Sequence, residues 1–133
     1  MSNNRLQFYR LWLGLGWLLI AIIFYLSLGH VSLEPRIGFP IDKVEHFSAY
    51  ATLMWWFSQI YLQTRQRMWL AVAFILMGII IEILQGMTGY RDMEAMDAVA
   101  DSLGVFFGWW LANTRLGHIL ASLDRELRTR QAR

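Results

Sequence analysis

At 133 residues the chain is long enough for one domain and too short for two; 56% of it is hydrophobic and only 17% charged, where soluble proteins average about 25% charged. Seven Trp and eight Phe supply more apolar surface than so short a chain can bury on itself, which points to lipid as its solvent. The absence of cysteine excludes disulfides, thiolate metal sites and cysteine nucleophiles. A net charge of +2, with basic residues flanking apolar runs and not gathered in one patch, excludes a nucleic-acid partner.

In chain order, residues 11–28 form an uncharged run of bilayer-crossing length, preceded by Arg5 and Arg10. A signal peptide has the same outline, but Gly29-His30-Val31-Ser32 offers no small-x-small cleavage site, so the run reads as a retained first helix. The second apolar segment, residues 47–62, follows Asp42-Lys43-Val44-Glu45-His46, and that polar stretch is expected to continue the helix outward. The third, residues 68–84, is apolar until Glu82. The fourth, residues 95–112, carries Asp97 and Asp101 in its first two turns, where partners must offset an insertion cost of about 2.5–3.5 kcal/mol for a mid-membrane Asp. The expected fold is therefore all-α: a single domain over residues 1–133, built as a four-helix transmembrane bundle with a cytoplasmic tail, residues 113–133.

Orientation follows from the basic residues. Arg5, Arg10, Arg65, Arg67, Arg115, Arg125, Arg128, Arg130 and Arg133 fall on one side of the four segments, and Arg36, Lys43 and Arg91 on the other. Both termini are thus expected in the cytoplasm, in the inner (plasma) membrane of a cell. In the tail, Leu116, Ile119, Leu120, Leu123 and Leu127 share one helical face, with arginines and Asp124 on the other. That pattern fits an amphipathic helix on the inner leaflet, or equally a solvated one.

The residues capable of chemistry collect at the opposite, outer end. Asp42, His46 and Tyr50 recur at four-residue spacing, and so form one stripe of the second helix. Gly78, Glu82 and Gly86 make such a stripe on the third helix, and Asp97, Asp101, Gly104 and Gly108 on the fourth. Glycines let helices approach closely, so the expected packing turns the three stripes inward and gathers Asp42, His46, Glu82, Arg91, Asp97 and Asp101 into one shallow pocket. A purely structural network is the competing reading, because Asp42, Glu45 and Asp97 suit helix N-termini and Glu82 has a natural partner in Arg91. Glu82 and Asp101 favour function, as ionisable groups inside apolar segments usually mark a site or pathway. Glu34, Arg36, Asp92 and Glu94 read as a solvated rim, the Trp55-Trp56 and Trp109-Trp110 pairs as lipid-facing or interfacial anchors, and His30 and His118 are assigned no role.

Asp42-Lys43-x-x-His46-x-x-x-Tyr50, then Glu82-x-x-Gln85, then Arg91, then Asp97 with Gly104 after it, resembles the VanZ-like family of small bacterial membrane proteins. Tyr25-Leu26-Ser27-Leu28 and Pro40 are similar to that family's first helix and outer loop, so the resemblance spans about residues 20–110. Where family members commonly carry Asn, this chain has Asp101. The resemblance implies the helical fold, a cell-envelope setting and an association with teicoplanin resistance, and it implies no particular reaction.

Three functional readings follow. In the first, the pocket takes an anionic envelope lipid, such as a lipid-linked envelope precursor, or a glycopeptide-related ligand. Lys43, His46 and Arg91 would hold a phosphate or carboxylate, with Tyr50, Gln85 and Asp101 also in the binding set. Asp42, Glu82 or Asp97 would serve as general base, with His46 in the same catalytic group. A divalent cation is compatible with the Asp, Glu and His content, but the spacing matches no standard metal motif, and neither metal ligands nor a cofactor are assigned. The second reading is a non-catalytic accessory protein that binds a partner membrane protein or a second copy. The third is a small transporter or proton-coupled carrier, which lacks a charged relay through residues 66–81.

Overall fold

Long apolar runs leave the backbone to satisfy its own hydrogen bonds, and both prolines (Pro35 and Pro40) fall between the first two runs, so each run can form an unbroken helix. The structure, a computed structural model, describes residues 6–29, 41–90 and 93–133. Among them it is entirely helical, with no strand: α1 (Tyr9–Leu28), α2 (Ile41–Ile60), α3 (Thr64–Met87), α4 (Ala95–Ala112), a 3-10 turn (Arg115–His118) and α5 (Ile119–Gln131). The fourth helix has the expected limits. The second incorporates Asp42 to His46, as anticipated, but stops at Ile60, and the third extends by a turn at its start. Two helices, α1 and α3, are long and apolar enough to cross a membrane, each with mean hydropathy 2.2.

Helix α2 is central and packs against α1, α3, α4 and α5. It contributes Tyr50, Leu53, Met54 and Phe57 to the core, which Ile23 of α1, Phe74 and Ile81 of α3 and Val105 of α4 complete. Its closest partner is α4. A Cβ added to Gly104 would lie 2.3 Å from the Phe47 carbonyl oxygen, and one added to Gly108 the same distance from that of Ala51. Glycine is required at both positions, because backbone meets backbone there.

One end of the bundle is tied by side chains reaching main-chain groups. Arg67 donates from Nε and Nη2 to the Ser58 carbonyl (3.1 and 2.6 Å), from Nε to the Tyr61 carbonyl (3.1 Å) and from Nη1 to Asn113 Oδ1 (2.8 Å). A guanidinium on the last carbonyls of α2 complements both its orphan acceptors and its dipole, which explains why α2 ends where it does. Of the four tryptophans expected to be lipid-facing or interfacial anchors, three are partly covered by the bundle. Trp55, Trp56 and Trp109 are half-buried, Trp56 donates to the Trp12 carbonyl at 3.0 Å, and Trp55 donates to the Leu116 carbonyl; only Trp110 is exposed as expected.

The tail departs most from expectation. Asp124, assigned to the polar face of α5, is buried. Its carboxylate accepts from the amides of Gln7 (2.8 Å) and Phe8 (2.9 Å) and from the Trp12 indole (2.8 Å). Helix α1 has no cap from its own N-cap side chain; the Asp124 carboxylate instead fixes the two residues that lead into it, Gln7 and Phe8. Gln59 Oε1 likewise accepts from the Leu120 amide at the start of α5. The tail helix is therefore docked on the bundle through Leu120 and Asp124, while Leu116, Leu123 and Leu127 stay exposed in one stripe.

Burial alone would raise the Asp124 carboxyl, but the Trp12 indole and the amides of Phe8 and Gln7 outweigh it and hold the group below its ordinary value. A lowered folded-state pKa contributes stability that is present above the unfolded value near 3.8 and is lost as pH falls through the folded one. Asp124→Asn is expected to cost about 1–3 kcal/mol at pH 7, read as a lower thermal midpoint in detergent and faster tryptic release of the tail. The gap to wild type should close as the pH is taken below about 4.

Candidate functional site

At the end of α2 remote from Arg67, three helices bring ionisable groups together. Lys43 and His46 come from the first turns of α2, Glu82 from the last turns of α3, and Asp97 and Asp101 from the first two turns of α4. The α2–α4 glycine contact sets this meeting, since the same face of α4 that carries Gly104 and Gly108 carries Asp97 and Asp101.

Two linked groups result. In one, the Lys43 ammonium is surrounded by carboxylates: Asp42 Oδ2 at 2.9 Å, Glu94 Oε2 at 2.7 Å and Asp97 Oδ1 at 3.0 Å. In the other, His46 stands among three acids. Its Nδ1 is hydrogen-bonded to Asp101 Oδ1 at 2.9 Å, the same nitrogen lies 3.9 Å from Glu82 Oε1, and Nε2 lies 3.8 Å from Asp97 Oδ2. Asp97 thus joins the two groups. Glu82 is 3% and Asp101 1% exposed, so the second group is the deeper.

Local structure accounts for these positions. Glu82 Oε2 accepts from the Glu94 amide at 3.2 Å, immediately before α4, and so caps that helix from α3. The Asp101 carboxylate rests on Gly78, where an added Cβ would come within 2.6 Å of Oδ2. The small-residue stripe on α3 is therefore a seat for a charged group as well as a packing face.

The expected cluster of Asp42, His46, Glu82, Asp97 and Asp101 is thus assembled. Arg91 lies outside the described residues, as do His30, Glu34, Arg36 and Asp92. Two assignments change. Lys43 was expected to bind an anion, but its three carboxylate partners already occupy its donors. Gln85, placed in the binding set, is buried and donates to the Ser27 carbonyl of α1 at 2.8 Å, so its amide ties two helices together. Glu94, read as rim, holds Lys43 from just outside α4; its position three residues before Asp97 at a helix start was the available signal. Glu45 is exposed and takes no part.

Among the described residues the cluster is acidic, with Asp42, Glu82, Glu94, Asp97 and Asp101 against Lys43 and His46. Three buried oxygens within it have no hydrogen-bond partner: Tyr50 Oη, Glu82 Oε1 and Asp101 Oδ2. Unsatisfied groups of this kind are costly in a structural network. The chain matches no family model, no curated protein and no solved structure.

Gly78→Ala is expected to push the Asp101 carboxylate off its seat and destabilise the fold by about 1–3 kcal/mol. The double variant Gly78→Ala/Asp101→Ala should be less destabilised than the two single losses added together, which a double-mutant cycle of thermal midpoints in detergent reads directly.

Proposed function

We propose that the chain is a multi-pass protein of the bacterial inner membrane, with four spans, both ends cytoplasmic and the acidic cluster beneath the outer surface. The observation that carries this reading is the outward face of α4. Met96, Val99, Leu103, Phe106, Phe107 and Trp110 are all exposed and all apolar, while Asp97 and Asp101 on the same helix are buried. Averaged along its length α4 is too polar to read as a span, yet the face available to lipid carries no charge. Helix α2 is similarly diluted by Asp42, Lys43, Glu45 and His46, and as the central helix it has the least need of a lipid-compatible surface. With 20, 20, 24 and 18 residues, the four helices measure about 27–36 Å, close to the ~30 Å hydrocarbon core. The exposed apolar residues of α1 and α3, among them Trp17, Leu18, Trp69, Leu76 and Ile80, far exceed what a soluble monomer displays.

In this reading the cluster is the site of an envelope ligand with an anionic headgroup, a lipid phosphate or a glycopeptide-related carboxylate, in keeping with the VanZ-like resemblance. His46 and Arg91 would meet the anion, and Asp42, Glu82 and Asp97 supply the acid–base groups. Transport has less support, because the core below the cluster (Leu53, Met54, Phe57, Phe74, Val105) offers no relay. The accessory-protein reading draws on the exposed Leu116, Leu123 and Leu127 stripe, a ready surface for another membrane protein.

The chain has no cysteine, so single cysteines report topology cleanly. Met93→Cys is expected to react with an impermeant maleimide in intact cells, and Gln63→Cys only after permeabilisation; the opposite pattern, or both reacting alike, removes the proposal. For the ligand, purified protein is expected to bind a polyprenyl phosphate in nanodiscs, and Glu82→Gln and Arg91→Ala to weaken that binding at least about tenfold. Wild-type protein that binds neither this lipid nor a glycopeptide eliminates the ligand reading.

A further inference from the structure

The two acid groups differ in what neutralises them. Around Lys43 a full positive charge sits among Asp42, Glu94 and Asp97. In the deeper group, among the described residues, the imidazole of His46 is the one basic side chain facing Glu82 and Asp101, and one oxygen of each carboxylate remains without a partner. One ligand atom from each of His46, Glu82 and Asp101 lies within 4.8 Å of the other two.

We propose that His46 Nδ1, Glu82 Oε1 and an Asp101 carboxylate oxygen bind a first-row divalent cation, Zn2+ or Mn2+. Nitrogen and oxygen ligands bind such ions at about 2.0–2.2 Å, so neighbouring donors around one ion stand roughly 3–3.6 Å apart; His46 Nδ1 already lies 2.9 Å from Asp101 Oδ1 and 3.9 Å from Glu82 Oε1, so side-chain adjustment brings the three into range. One imidazole with two carboxylates is a borderline-to-hard set, which suits these ions better than Cu(I), with its preference for thiolates. Metal-bound histidines almost always direct their second ring nitrogen at a carboxylate or carbonyl. Here Nε2 faces Asp97 at 3.8 Å, and Asp97 is itself fixed by Lys43. The buried Tyr50 hydroxyl, one turn further along the same stripe, is unpartnered and polar, as a further ligand or a water contact would require. Binding replaces the proton that joins His46 to Asp101, and that proton leaves to solvent, so affinity falls as pH is lowered.

The cation also resolves a conflict of sign. An acidic pocket repels a phosphate, whereas a cation with three protein ligands keeps positions open to accept a phosphate oxygen. This part of the inference rests on the ligand reading above; the ion site itself does not.

The test uses chelator-stripped, full-length protein in nanodiscs, titrated with Zn2+ or Mn2+ alone. Metal analysis is expected to find one ion per chain. His46→Ala and Glu82→Gln should abolish it, Asp97→Asn should weaken it about tenfold, and Glu126→Gln in the tail should leave it unchanged. Pulsed electron paramagnetic resonance of wild-type protein with Mn2+ should show coupling to an imidazole nitrogen, a result independent of whether the variants fold. No bound ion, an ion lacking that coupling, or occupancy that survives His46→Ala overturns the proposal. Inorganic phosphate and a polyprenyl phosphate are then added with and without the ion. If the metal binds but neither phosphate does, the ligand reading falls and the ion site stands. If stripped protein binds either phosphate undiminished, the metal has no part in holding the anion. Binding of the lipid but not of inorganic phosphate identifies the headgroup as membrane-borne.

Discussion

The contact of α2 with α4 through Gly104 and Gly108 governs everything at the polar end of this molecule. With carbonyls of Phe47 and Ala51 pressed where side chains would otherwise stand, the two helices lie close enough for His46 to reach Asp101 and for Lys43 to reach Asp97. Any residue larger than glycine would separate the axes and leave these charges to an apolar surrounding, where an isolated charge costs several kcal/mol. The small residues and the ionised ones therefore form a single device: the first create the proximity that the second need.

Neutralisation within the cluster is uneven. The shallower carboxylates are answered by an ammonium with good geometry, and Asp42 and Glu94 retain some access to solvent. The deeper pair has one hydrogen bond from an imidazole and one from the Glu94 amide, with an oxygen left over on each. Replacing a buried ionic network by apolar residues of similar volume is often neutral or stabilising. Incomplete satisfaction inside a well-packed core is the pattern expected where a ligand supplies the missing partner.

Much of this was legible in the sequence, because helical periodicity is a strong signal and the glycines lie on the same stripes as the acids. Asp42, His46, Glu82, Asp97 and Asp101 could be assigned to a common cluster from spacing alone. What escaped were contacts that depend on rotamer and register. Lys43 looked like a free cation since its partner Glu94 lay in a loop, Gln85 looked like a ligand group since nothing indicated that Ser27 would present a carbonyl to it, and Arg67 looked like a topology marker until its guanidinium was seen on the end of α2. Asp124 was hidden for the same reason: an acid among arginines has the composition of a solvated face, and no local pattern reveals a binding partner 116 positions away.

That distant contact has a bearing on biogenesis. Gln7 and Phe8 emerge from the ribosome long before Asp124 exists, and at about 5–20 residues per second the interval is roughly 5–25 s. Through that time the amides of Gln7 and Phe8, which lead into α1, lack the acceptor that Asp124 provides in the folded chain. Helix α5 thus closes the entry to α1, and a chain released before Asp124 is made would carry an α1 with a fraying start for quality-control proteases to find.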